Sequence, residues 1–121
     1  MAHSAKARLL AFYDYDYEGA FNEIEEAVNR FPANDYPLLT MADLAVHSRN
    51  TEKLRQAISL LEERMSRKAQ SYRSFLRFKA YLLALDGDPS SAKRIIEKDL
   101  KGLGEKAVNR LTHKVDELTN P

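Results

Sequence analysis

A chain of 121 residues, 44% hydrophobic and 31% charged, is enough for one folded domain with a core and a soluble surface, and its lack of cysteine excludes a disulfide framework, a thiolate metal site and a cysteine nucleophile. Nineteen Lys and Arg against eighteen Asp and Glu leave a net charge of +1, which exerts no global pull on nucleic acid or an anionic membrane. No apolar run approaches the ~18 residues of a spanning helix, and Met1 to Arg8 carries Lys6 and Arg8 but no long apolar stretch or cleavage-like site, so the expectation is a cytoplasmic protein without a secretory signal.

Apolar residues recur at helical spacing along the chain. The first such segment covers about 3–13. Residues 17–31 place Ala20, Phe21, Ile24, Ala27, Val28 and Phe31 on one face and Asn22, Glu23, Glu25, Glu26, Asn29 and Arg30 on the other, which predicts an amphipathic helix stopped by Pro32. A further apolar segment runs over about 36–48. Residues 51–65 repeat the amphipathic scheme with Leu54, Ala57, Ile58, Leu61 and Met65. After another apolar segment at 71–85, residues 89–100 repeat it with Ala92, Ile95, Ile96 and Leu100, and residues 104–118 with Ala107, Val108, Leu111, Val115 and Leu118. No stretch alternates with period two for long enough to suggest a strand. The expectation is an all-α chain of seven helices joined by short turns.

Asp16, Asn50 and Asp88 each fall just before an amphipathic helix, where a short side-chain acceptor satisfies the free amides of the first turn. Pro89 follows Asp88 at the first helical position, where its missing N–H costs nothing. The caps are 34 and 38 residues apart, a period that fits stacked helix–turn–helix units whose apolar faces are buried only by their neighbours.

Asp16-Tyr17-Glu18-Gly19-Ala20 followed by Ile24, Ala27 and Pro32 resembles the second helix of the tetratricopeptide repeat (TPR) family. Gly87-Asp88 with Ala92 and Ile96 follows the same pattern, with Asp99 where a small residue belongs. Asn50 and Ile58 keep it more loosely, with Leu54 and Leu61 replacing small residues. In the first helices, Leu38-Met41-Ala42-Ala45 and Leu76-Ala80-Leu83 follow the family's bulky–small–bulky order, with Lys79 a departure, whereas Ala7 and Arg8 fit poorly. The resemblance implies a right-handed helical-hairpin solenoid of three TPR-like pairs, at about 3–33, 35–67 and 71–100, closed by a capping helix at about 104–118.

Such a module binds other proteins and performs no chemistry, and the chain offers little for catalysis. His3, His47 and His113 have no metal-ligand spacing. Gly102-Leu103-Gly104 reads as a helix break rather than a phosphate loop. Glu23, Glu25 and Glu26 lie on a polar face, and Ser71 and Ser74 have no nearby activating group. No cofactor and no metal is expected.

Charge is uneven along the chain. Asp14, Asp16, Glu18, Glu23, Glu25 and Glu26 form an acidic front, and Arg64, Arg67, Lys68, Arg73, Arg77 and Lys79 a basic middle. Tyr72, Phe75, Phe78 and Tyr81 accompany the basic residues, but Phe75 and Phe78 sit at core spacing beside Leu76 and Leu82, so no nucleic-acid partner is expected.

In the family the first helix of each pair lines a concave surface that receives extended peptides or helices. Carried over, this nominates Leu9, Phe12 and Tyr13; Tyr36, Leu39, Asp43, Val46 and His47; and Ser74, Arg77, Tyr81 and Leu85. Phe12, Leu39 and Val46 could equally belong to the shared core. TPR modules that hold the acidic tails of heat-shock chaperones use a clamp of Lys, Asn and Arg. The corresponding places here hold Ala5, Leu9, Thr40, Ser74 and Phe78, with only Lys6 and Arg77 nearby, so that ligand is not expected. The resemblance implies an adaptor or chaperone-like module for a peptide or amphipathic helix. The alternatives are a self-associating scaffold or a segment of a larger TPR protein.

Overall fold

A computed structural model describes residues 16–64 and 69–120. Among them are six α-helices, one short 3-10 turn and no strand: α1 (Tyr17–Arg30), α2 (Tyr36–His47), α3 (Thr51–Arg64), α4 (Ala69–Leu85), α5 (Pro89–Asp99), the 3-10 turn (Lys101–Leu103) and α6 (Glu105–Thr119). The expected helix at 3–13 lies outside the described residues, and so do Leu9, Phe12 and Tyr13. The other six expected helices are all present, each within two residues of its expected bounds.

The chain divides into two compact units, Met1–Ser66 and Arg67–Pro121. In the first, α2 packs against both α1 and α3. The amphipathic faces read from the sequence supply the buried side chains: Phe21, Ile24 and Val28 from α1, and Leu54, Ile58 and Leu61 from α3. Flanked on two sides, α2 buries most of its circumference, with Pro37, Leu38, Thr40, Met41, Leu44 and Val46 all buried. Phe31, expected on the apolar face of α1, is instead its C-cap and 40% exposed, because the helix ends before that position returns to the core. Glu25 of α1 and Lys53 of α3 form an ion pair, and the Lys53 ammonium also lies 5.8 Å from the Phe21 ring centre.

In the second unit α4, α5 and α6 each pack on the other two. Phe75, Leu76 and Phe78 of α4 are buried, as are Ala92 and Ile96 of α5 and Leu111, Val115 and Leu118 of α6. Lys93 bonds Asp116 across α5 and α6 at 2.8 Å. Full burial of an aliphatic side chain contributes roughly 2 kcal/mol and a cap about 1 kcal/mol. Packing therefore holds these helices, and the caps decide where they start.

All three caps form. Asp16 accepts from the Gly19 amide at 2.9 Å, Asn50 from Lys53 at 3.0 Å and Asp88 from Ser91 at 3.1 Å. The Ser91 hydroxyl and amide, together with the Arg94 charge, hold the Asp88 carboxyl below the ordinary carboxylate range.

The turns α2–α3 and α4–α5 are built alike. Ser48 caps α2, Arg49 adopts a left-handed φ of 55°, and the amides of Arg49 and Asn50 donate back to the Val46 and Ala45 carbonyls. In the other turn Gly87 has φ 88°, and the amides of Gly87 and Asp88 donate to Ala84 and Leu83. Both are Schellman closures whose last residue also caps the next helix. The correspondence, 38 residues apart, extends into the helices: Leu38 matches Leu76, Ala42 matches Ala80 and Ile58 matches Ile96, every one of them buried. The two turns and these buried positions thus correspond at a separation of 38 residues.

Candidate functional site

On α2, the flanking helices leave one strip less covered. Tyr36, Leu39, Asp43 and His47 stand at i, i+3, i+7 and i+11, which falls within one narrow arc of a helix turning 100° per residue. Tyr36 is 45% exposed and His47 is exposed, while Leu39 and Asp43 are half-buried. Val46, nominated with them, is buried. The Tyr36 end is held by an Asx turn in which Asn34 accepts from the Tyr36 amide at 3.0 Å, and Pro37 occupies the first turn of the helix. At the other end the His47 ring lies 5.9 Å from that of Tyr17.

Tyr17 also borders a hollow of about 530 Å3, shared with Phe21, Ser48, Asn50 and Lys53. The sequence contained no signal for this hollow, because it arises where the start of α1 meets the α2–α3 turn.

On α4 the matching positions are Ser74, Arg77, Tyr81 and Leu85, each 38 residues beyond its counterpart on α2. Ser74, Arg77 and Leu85 are half-buried and Tyr81 is buried. The Arg77 guanidinium lies 4.4 Å from the Phe78 ring centre and 5.7 Å from that of Tyr81. Phe78 and Thr40, two of the places where the resemblance led to a search for a clamp, are both buried.

Arg77 and Tyr81 also form one wall of a pocket of about 330 Å3, completed by Leu103, Ala107, Arg110 and Leu111. The sequence nominated only the two α4 residues. Ala107 and Leu111 were legible as the apolar face of α6, but a leucine left 39% exposed in a 3-10 turn and an arginine on the polar side of α6 carried no sign of a shared site.

Among the described residues no group of three or more His, Cys, Asp or Glu side chains is placed to hold a metal ion, and no helix is long and apolar enough to cross a membrane. No protein-family model, no curated protein and no solved structure matches this chain.

Proposed function

We propose that this chain is a non-catalytic, TPR-like protein–protein interaction module of the cytoplasm, adaptor or chaperone-like, in which the exposed strip of α2 receives a peptide or amphipathic helix. The observation that carries this reading is the 38-residue repeat: matched turns, matched core positions and two strips at identical spacing on the first helix of each hairpin. A single exposed aromatic is ordinary on any surface. A strip of Tyr36, Leu39 and His47 with one acid, on the helix most enclosed by its neighbours, offers the rigid apolar contacts that anchor a partner helix. The acidic groups nearby have structural work. Glu25 pairs with Lys53, Glu26 with Arg30, and Asp16 caps α1.

The test uses exposed positions. Tyr81→Ala would empty packed space at a cost of roughly 3 kcal/mol and confound binding with folding. Tyr36→Ala combined with His47→Ala removes only accessible side chains. Helical peptides selected on the native protein are expected to lose about tenfold or more in affinity for this double variant while circular dichroism stays unchanged. Unchanged affinity would move the site off α2.

A second reading, self-association, is favoured by one observation. The unit Met1–Ser66 carries seven bases against eleven acids, a net −4, and Arg67–Pro121 carries twelve against seven, a net +5.

A further inference from the structure

We propose that the hollow between the start of α1 and the α2–α3 turn takes an arginine side chain of the partner, at the end of the segment that lies along the exposed strip of α2. The inference rests on the interaction-module reading and adds to it one chemical requirement on the partner. Every residue it uses belongs to the unit Met1–Ser66.

Position is the first argument. From Tyr36 to His47 the strip rises roughly 16 Å along the helix, enough for about three turns of a partner helix. The His47 ring lies 5.9 Å from that of Tyr17, and Tyr17 lines the hollow. A segment that covers the strip therefore meets the hollow about one turn further on. At about 530 Å3 the space falls within the range of ligand sites and has room for a long side chain.

Charge decides the occupant. Lys53 is the cation of the lining, and it is already paired with Glu25 and set over the Phe21 ring. Glu18 is the acid of the lining. It is exposed, and among the described residues its carboxylate forms no ion pair. Two helix starts meet here, each bringing a partial positive charge of about half a unit. Asp16 and Glu18 on α1 and Glu52 on α3 outweigh them, in a unit whose net charge is −4. The hollow therefore favours a cation over a carboxylate.

Hydrogen-bonding capacity selects the guanidinium. The Ser48 hydroxyl gives its proton to the Leu44 carbonyl at 2.8 Å, so what it has left for a ligand is acceptor capacity. Glu18 and Asn22, also in the lining, add a carboxylate and an amide oxygen. These acceptors stand on α1 and on the α2–α3 turn. A planar guanidinium with its fork of N–H donors can serve both, whereas an ammonium is a compact point charge. Tyr17, half-buried, adds an aromatic surface of the kind on which arginine stacks.

The test takes helical peptides selected on the native protein and reads their affinity by fluorescence anisotropy. The selected sequences are expected to carry an arginine within about one turn of an end of their apolar stripe. Replacing it by citrulline, which keeps the shape and removes the charge, is expected to cost about tenfold in affinity, and replacing it by lysine to cost less but measurably. In Glu18→Gln the citrulline step should shrink to less than about twofold. Glu18→Arg should prefer a peptide with glutamate at that place, with circular dichroism unchanged in both variants. The proposal is overturned if the selected peptides lack the arginine, if the citrulline or lysine version binds as well, or if the citrulline step is the same in Glu18→Gln. It is equally overturned if the native protein prefers the glutamate version, or if a second copy of the chain occupies the hollow, seen as self-association that Glu18→Gln abolishes. Peptides that lose binding in the Tyr36→Ala, His47→Ala protein but are indifferent to Glu18 would sink this subsite and leave the module reading standing. Failure to select any peptide would remove both.

Discussion

A β-carbon at Gly19 would lie 2.3 Å from Oδ2 of Asp16, the carboxylate that caps α1. Gly19 therefore stands in the first turn of a helix, where alanine would otherwise be better by about 1 kcal/mol, because the cap needs the space. Replacing it with alanine gains that propensity and loses a cap of about 1 kcal/mol, so the net change should be near zero. In an Asp16→Ala background the same substitution should stabilise by about 1 kcal/mol, a coupling that urea unfolding of the four proteins measures. An equal effect in both backgrounds would show that cap and glycine are independent. Thr40 presents a different residue-scale cost. It is 1% exposed and its hydroxyl has no hydrogen-bond partner. Burying an unsatisfied hydroxyl costs about 1–3 kcal/mol, and valine keeps the branched shape. Thr40→Val is expected to raise stability by about 1 kcal/mol in denaturant unfolding; a loss would show that the hydroxyl has unseen work. Asp16 was legible in the sequence as a cap. Thr40 was not legible as a burden, because only the packing of α1 and α3 around α2 removes it from water.

At the scale of elements, the helices follow from local pattern. Spacing of apolar residues with Asn, Asp and Pro at the boundaries placed α1 to α6 to within two residues. The turns were only half legible. Gly87 announces a left-handed position, since glycine adopts it without steric cost. Arg49 performs the same task without announcing it. The Schellman bonds to Val46 and Ala45 hold the chain in a conformation that costs a side-chain-bearing residue roughly 1–2 kcal/mol. This asymmetry makes opposite predictions at equivalent positions. Arg49→Gly should stabilise by about 0.5–1 kcal/mol after glycine's greater unfolded-state entropy is counted, and Gly87→Ala should destabilise by about 1 kcal/mol. Thermal unfolding of the two variants checks both. Destabilisation by both would mean that Arg49 contributes a side-chain contact larger than the backbone strain.

At the scale of the molecule, a net charge of +1 conceals units of −4 and +5. Opposed net charges on two parts of one chain favour head-to-tail encounter between copies, and such attraction is screened within about 10 Å at 0.1 M salt. If self-association accompanies the binding function, light scattering across a concentration series should give an apparent mass that rises at low ionic strength and returns to that of one chain above about 0.5 M salt. A strict monomer at every concentration and low salt would remove that reading.

Helix existence, the caps at Asp16, Asn50 and Asp88, and the cysteine-free, helix-only character were all in the sequence, because each depends on residues within a few positions of one another. The same holds for the strips on α2 and α4, whose spacing is a property of a single helix. Tertiary structure decided what no local pattern encodes. It buried Val46 and Tyr81 while leaving Tyr36 uncovered, and it left the Thr40 hydroxyl without a partner. It also brought Arg110 and Leu103 to the same pocket as Arg77, across about thirty residues of intervening chain. Such relations depend on which helices pack together and at what rotation, and that choice is made by the summed burial of whole faces.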